Sequence, residues 1–102
     1  VVRFGAFRFD PGHRLLTEND TPVRLTEAES GLLAVLAAAP GQPIARDELA
    51  ARDGQAGNSR AVDVQITRLR RKIERDPKFP RYLQTVRGMG YMLQIDGVES
   101  AP

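Results

Sequence analysis

Ser59-Arg60-Ala61-Val62-Asp63-Val64-Gln65-Ile66-Thr67-Arg68-Leu69-Arg70-Arg71-Lys72-Ile73-Glu74 is the stretch on which the fold turns. Val62, Ile66, Leu69 and Ile73 recur at spacings of four, three and four. At about 100° per residue, that spacing keeps all four on one stripe of a helix. The opposite pole gathers Arg60, Val64, Arg68, Arg71 and Arg75, each projecting within about 50° of it. A helix with a core stripe on one side and four arginines around one valine on the other is built to meet something anionic. Arg70 falls on the flank beside Asp63 and Glu74, where an intrahelical ion pair competes with any intermolecular role. Ser59 is the expected N-cap, and Asp76-Pro77-Lys78-Phe79-Pro80 ends the helix, since neither proline can continue it.

Upstream, Phe7 and Phe9 share one side of a strand and Arg8 takes the other. Asp10-Pro11-Gly12 and Glu18-Asn19-Asp20 are turns, and a short strand lies around Val23 and Leu25. These segments predict a small antiparallel sheet. Thr26-Glu27-Ala28-Glu29 has the form of a capping box, and behind it Ala28, Leu32, Leu33, Leu36 and Ala37 keep to one helical face that stops at Pro40-Gly41. A second helix runs from about Arg46 to Arg52, anchored by Ile44 and Leu49, with the non-capping Ala45 before it. Downstream, Tyr82 to Val86 and Tyr91 to Ile95 are β-rich runs joined by Arg87-Gly88-Met89-Gly90, a glycine-permitted hairpin turn. From Gly97 onward the chain is small and polar and is expected to fray.

Length and composition bound the alternatives. The chain has 102 residues, enough for one domain. It has no cysteine and one histidine, His13, which excludes a disulfide framework, a thiolate nucleophile and a zinc site built on Cys or several His. His13 follows a turn and reads as a surface residue. Gly88 and Gly90 lack the third glycine and following helix of a phosphate loop. No metal, cofactor or enzymatic constellation is expected, and no apolar run suffices to span a membrane. Val1 in place of Met and the absence of a signal-peptide pattern lead to the expectation of a cytoplasmic segment of a longer chain. The formal charge is only +2, yet residues 60–87 carry nine basic and three acidic side chains while both flanks are net acidic. Such a local block is the footprint of a polyanion partner.

Three helices, the third with an arginine face, then a hairpin with Arg87 at its tip, describe an α+β winged helix-turn-helix. B-DNA's major groove admits one helix, and an arginine fork suits guanine while a small apolar group suits the thymine methyl. Val64 and Arg68, near the centre of the outward face, are the candidate base-reading residues. Arg60, Gln65, Thr67, Arg70 and Arg71 are candidates for phosphate contacts, which position without specifying. Arg87 is placed to enter a minor groove.

The Ser59–Glu74 stretch, with Asp76-Pro77 and then Tyr82-Leu83-Gln84-Thr85-Val86-Arg87-Gly88-Met89-Gly90-Tyr91, resembles the effector domain of OmpR/PhoB-type response regulators. The resemblance runs from the Phe7 strand and the Leu25–Glu29 helix start to Tyr91. It implies a four-stranded N-terminal antiparallel sheet, a three-helix core and a C-terminal hairpin wing, with residues 1–96 as the DNA-binding domain and 97–102 as a flexible tail. It implies the same base and minor-groove roles and places Arg60, Gln65, Thr67, Arg70 and Thr85 near the phosphate backbone. It further implies that the loop Arg52, Asp53, Gly54, Gln55, Ala56, Gly57 and Asn58 meets RNA polymerase, and that a receiver domain answering a sensor histidine kinase lies upstream. Binding to direct repeats in promoter DNA also follows from it. Neither Asp10 nor Asp63 stands for the receiver's phosphorylated aspartate. Two rivals are a winged-helix regulator with a sensor outside the phosphorelay, and a protein-interaction module, which would favour acidic or aromatic groups on the third helix.

Overall fold

Short alternating segments bounded by turn residues build the first layer. The structure, a computed structural model, describes residues 1–53 and 58–99, with the side chain of Asp53 outside the description. Strands β1 (Val2–Phe4), β2 (Phe7–Asp10), β3 (Leu15–Glu18) and β4 (Thr21–Val23) form an antiparallel meander. Registers Val2↔Phe9, Phe4↔Phe7 and Phe9↔Leu16 put Val2, Phe4, Phe7, Phe9 and Leu16 on one buried face. Asn19 and Asp20 link β3 to β4 with φ of 49° and 68°. Two successive positive φ values are what a two-residue hairpin loop of matching twist demands, and Asn and Asp tolerate them best after glycine.

Helix α1 (Glu27–Ala38) opens on the expected capping box: the Thr26 hydroxyl accepts from the Glu29 amide at 3.2 Å, and the Glu29 carboxylate accepts from the Thr26 amide at 2.8 Å. Burial extends beyond the expected stripe. Glu29, Ser30 and Gly31 are buried with Leu32, Leu33, Leu36 and Ala37, whereas Ala28 is half-exposed. Glu29 is tolerated inside because Lys72 also donates to its carboxylate. Burial alone would raise this carboxyl, but the bonds from Lys72 and Thr26 outweigh it and hold Glu29 below its usual 4.5. A carboxyl with a lowered folded-state pKa contributes stability above 4.5 that is lost as pH falls through the lowered value. Glu29→Gln should therefore flatten the acid limb of the melting-temperature profile while lowering the plateau at neutral pH. An unchanged acid slope would show that the ion pair contributes nothing.

Helices α2 (Arg46–Asp53) and α3 (Ser59–Ile73) complete a three-helix core. Val62, Ile66, Leu69 and Ile73 are all buried against Leu32, Leu33, Leu36 and Leu49. The N-cap of α3 is Asn58 rather than the expected Ser59: Asn58 has extended backbone, and its Oδ1 accepts from the Ala61 amide at 2.9 Å. Asn and Ser cap about equally well, so residue type alone does not choose between neighbouring positions. The helix also ends sooner than its prolines require. Glu74 leaves helical geometry, with φ −97° and ψ 138°, and Arg75 lies beyond the helix rather than on its outward pole.

Strands β5 (Leu83–Val86) and β6 (Gly90–Leu93) form the hairpin wing, with Leu83 opposite Leu93 and both fully buried. An isolated two-stranded hairpin is marginal in water, and this one is anchored on the segment between α1 and α2. Ile44 and Tyr91 exchange two backbone hydrogen bonds of 2.8 and 3.0 Å, and Gly41 donates to Leu93 at 2.8 Å. Beyond the wing, Gly97–Val98 forms β7 against β1, giving a five-stranded sheet in the order β4-β3-β2-β1-β7. The expectation of fraying from Gly97 is thus corrected for 97–99: Glu99 pairs with Arg8 and, at 3.6 Å, with Arg3. Two residues are too few for alternation to reveal a strand.

Candidate nucleic-acid interface

An amphipathic helix packed by one stripe must present the other, and α3 does so. Val64 is 44% exposed although it is a large hydrophobic residue. Arg60, Thr67, Arg68 and Arg71 are exposed around it. Among the described residues none of Arg60, Arg68, Arg71 and Arg87 has an ion-pair partner, whereas Arg3, Arg8, Arg46 and Lys72 all do. Positive charge without an ion-pair partner thus lies on α3 and at the wing tip, as it also does at Arg14, Arg24, Arg75, Lys78 and Arg81 among the described residues. Thr67 donates its hydroxyl to the Asp63 carbonyl at 3.0 Å, as helical threonines do. Gln65 is half-buried, and its Oε1 has no hydrogen-bond partner among the described residues.

The wing tip follows from two conformations. The Met89 amide donates to Val86 at 2.9 Å, closing the turn, and Gly88 takes φ 76°. Arg87 is exposed at this tip, beside Met89 at 59% exposure. Thr85 is exposed on β5.

Arg70 does not form the intrahelical ion pair with Asp63 or Glu74 that its position suggests. Its Nε donates to the Leu83 carbonyl at 2.9 Å, its Nη2 donates to Thr85 Oγ1 at 2.8 Å, and its guanidinium lies 5.6 Å from the centre of the Tyr91 ring. Both carboxylates are engaged elsewhere. Glu74 accepts from the amides of Arg81, Tyr82 and Leu83. Asp63 binds Arg46 of α2, with Nε to Oδ1 at 2.9 Å and a second bond from Nη2, and accepts from the Tyr91 hydroxyl at 2.6 Å. Burial raises the Asp63 carboxyl, but the bonds from Arg46 and Tyr91 outweigh it and hold it below its ordinary range. Burial together with the bond to Asp63 pushes the Tyr91 phenol up to about 12. The sequence does not point to Arg46, Asp63, Glu74 or Tyr91 as members of the candidate site. Their partners are 7 to 28 residues away in sequence, beyond the reach of local spacing rules.

Of the candidate positions, Arg60, Val64, Thr67, Arg68 and Arg71 share the exposed face of α3, and Thr85 and Arg87 are exposed on the wing. Gln65 and Arg70 lie half-buried at the edge. Of the expected polymerase loop, Arg52 ends in exposed helix and Asn58 caps α3, while Gly54, Gln55, Ala56, Gly57 and the Asp53 side chain lie outside the described residues.

Three packed helices, an antiparallel sheet on one side and a hairpin after the exposed helix define a winged helix-turn-helix domain. Residues 20–93 match the family described as "Transcriptional regulatory protein, C terminal". The chain belongs to that family. It is 52% identical to Protein PetR of Rhodobacter capsulatus over 93% of this chain and 44% of PetR. It thus spans less than half the length of that relative. The Klebsiella pneumoniae RstA DNA-binding domain, solved in complex with the RstA box, superposes with a TM-score of 0.78 at 33% identity, covering 91% of this chain and 95% of RstA's. Response regulator DrrB, described as a Thermotoga maritima OmpR/PhoB homolog, superposes with a TM-score of 0.80 at 32% identity over 89% of this chain and 42% of DrrB.

Proposed function

We propose that this domain binds double-stranded DNA sequence-specifically as the output half of a two-component response regulator that controls transcription. The observation that carries the proposal is the exposed face of α3, where Val64 sits among arginines that lack ion-pair partners among the described residues. Val64 and Arg68 read base edges in the major groove. Arg60, Gln65, Thr67, Arg71 and Thr85 meet phosphates, and Arg70 reaches them only with donors left over from Leu83 and Thr85. Arg87 enters the minor groove from the wing. RstA, solved on its DNA box, supports this reading by its similarity.

A receiver domain answering a sensor histidine kinase, RNA polymerase contact through residues 52–58 and binding to paired direct repeats belong to the same proposal. So does a cytoplasmic site of action; among the described residues no helix is long and apolar enough to cross a membrane.

Selecting bound duplexes from a random pool tests the reading, with a salt titration on the winner. A recurrent motif is expected. Arg71→Ala should reduce the slope of log affinity against log salt by about one, equally on the winner and on random duplex. A pool that never converges would overturn the proposal.

A further inference from the structure

The wing and the exposed helix are joined by side chains, and the joint has a definite centre. Asp63 and Arg70 are seven residues apart on α3, two turns, so they lie one above the other on the flank facing the wing. Arg70 is bonded to β5 through Leu83 and Thr85. Asp63 is bonded to β6 through the Tyr91 hydroxyl and to the start of α2 through Arg46. Tyr91 is itself tied by backbone bonds to Ile44, just before α2. The elements α3, α2 and β6 therefore meet at one carboxylate, whose partner Tyr91 lies four residues from the tip arginine along the hairpin.

We propose that Asp63 is a positioning residue that fixes the wing against α3 through Tyr91 and Arg46, so that Arg87 and the Val64–Arg68 face engage one duplex as a coupled unit. This rests on the DNA-binding reading above. A wing on a loose joint would make its groove contact independently, and part of that contact's free energy would go into ordering the hairpin. A fixed wing is already aimed. Tyr91→Phe removes one hydroxyl and leaves the ring, the Arg70 stacking and the Asp63–Arg46 pair in place. Asp63→Asn weakens both bonds at once.

The test is a double-mutant cycle on the duplex selected from the random pool. Arg87→Ala is made in the wild-type chain, in Tyr91→Phe and in Asp63→Asn, with melting temperatures recorded for each. The expected result is that Arg87→Ala weakens binding about tenfold in the wild type and less than about threefold in either background. A purely structural role would lower melting temperatures and leave that ratio unchanged. Equal factors in wild type and folded Tyr91→Phe overturn the inference and leave DNA binding standing, and Tyr91→Phe decides the matter if Asp63→Asn does not fold. A wild-type chain without sequence preference, or one indifferent to Arg87→Ala, overturns the inference from the other side, the former together with the DNA-binding reading.

Discussion

Glu74→Ala should lower the unfolding free energy by roughly 3–5 kcal/mol, because it strips the acceptor from several backbone amides at once. Glu74 is 7% exposed. Its Oε1 accepts from Arg81 at 2.7 Å, and its Oε2 from Tyr82 at 3.1 Å and Leu83 at 2.8 Å. Bonds to a charged acceptor contribute about 1.5–3 kcal/mol each, and an amide left buried without a partner carries its full desolvation cost. Arg81 is exposed, so water can replace the lost acceptor there, but Leu83 is fully buried and its amide has no such recourse. The same carboxylate ties the end of α3 to the start of the wing through these amides, so its loss should reduce DNA affinity as well as stability. Glu74→Gln keeps one acceptor oxygen and should cost about half as much. Urea unfolding of the three proteins measures this, and a loss below about 1 kcal/mol for Glu74→Ala would contradict the role assigned to Glu74.

Gly90→Ala should be comparably damaging, at roughly 3 kcal/mol or more, since it combines backbone strain with a steric conflict that cannot relax cheaply. Gly90 has φ 142°, which L side chains rarely adopt. A Cβ there would stand 2.0 Å from the Ile44 carbonyl oxygen and 2.9 Å from the Ala45 Cα. Both obstacles are backbone, so no rotamer change relieves them. The wing must then pull away from the segment before α2 and give up the Ile44–Tyr91 bonds. Gly88, also at positive φ, has nothing within 4 Å of an added Cβ, so Gly88→Ala should cost only about 1 kcal/mol. Thermal unfolding separates the two, and equal effects would show that close approach at Gly90 is unimportant.

Much of this molecule is legible in the sequence because α3 packs by a single stripe. The spacing of Val62, Ile66, Leu69 and Ile73 named the buried face of α3, and the exposed Val64 and Arg68 followed from it by geometry. The capping box at Thr26 and the turn at Asn19-Asp20 are local interactions, complete within a few residues. What escaped involves partners distant in the chain. Helical spacing puts Arg70 beside Asp63 and Glu74, yet all three side chains reach the wing or α2 instead. Arg75 falls on the outward pole only if the prolines end α3, whereas Glu74 leaves the helix first and its carboxylate collects the amides of residues 81–83. Residues 97–98 carry no alternation, and only the free edge of β1 makes them a strand.

Arg68→Ala, measured on the duplex selected by the wild-type chain and on a scrambled one of equal length, tests most directly the claim that the exposed face of α3 reads sequence. Arg68→Ala is expected to lower discrimination between the two duplexes by about 1–3 kcal/mol while leaving affinity for the scrambled duplex within a few fold. Loss of affinity by the same factor on both duplexes would contradict it, leaving Arg68 as one more phosphate contact and the base reading elsewhere.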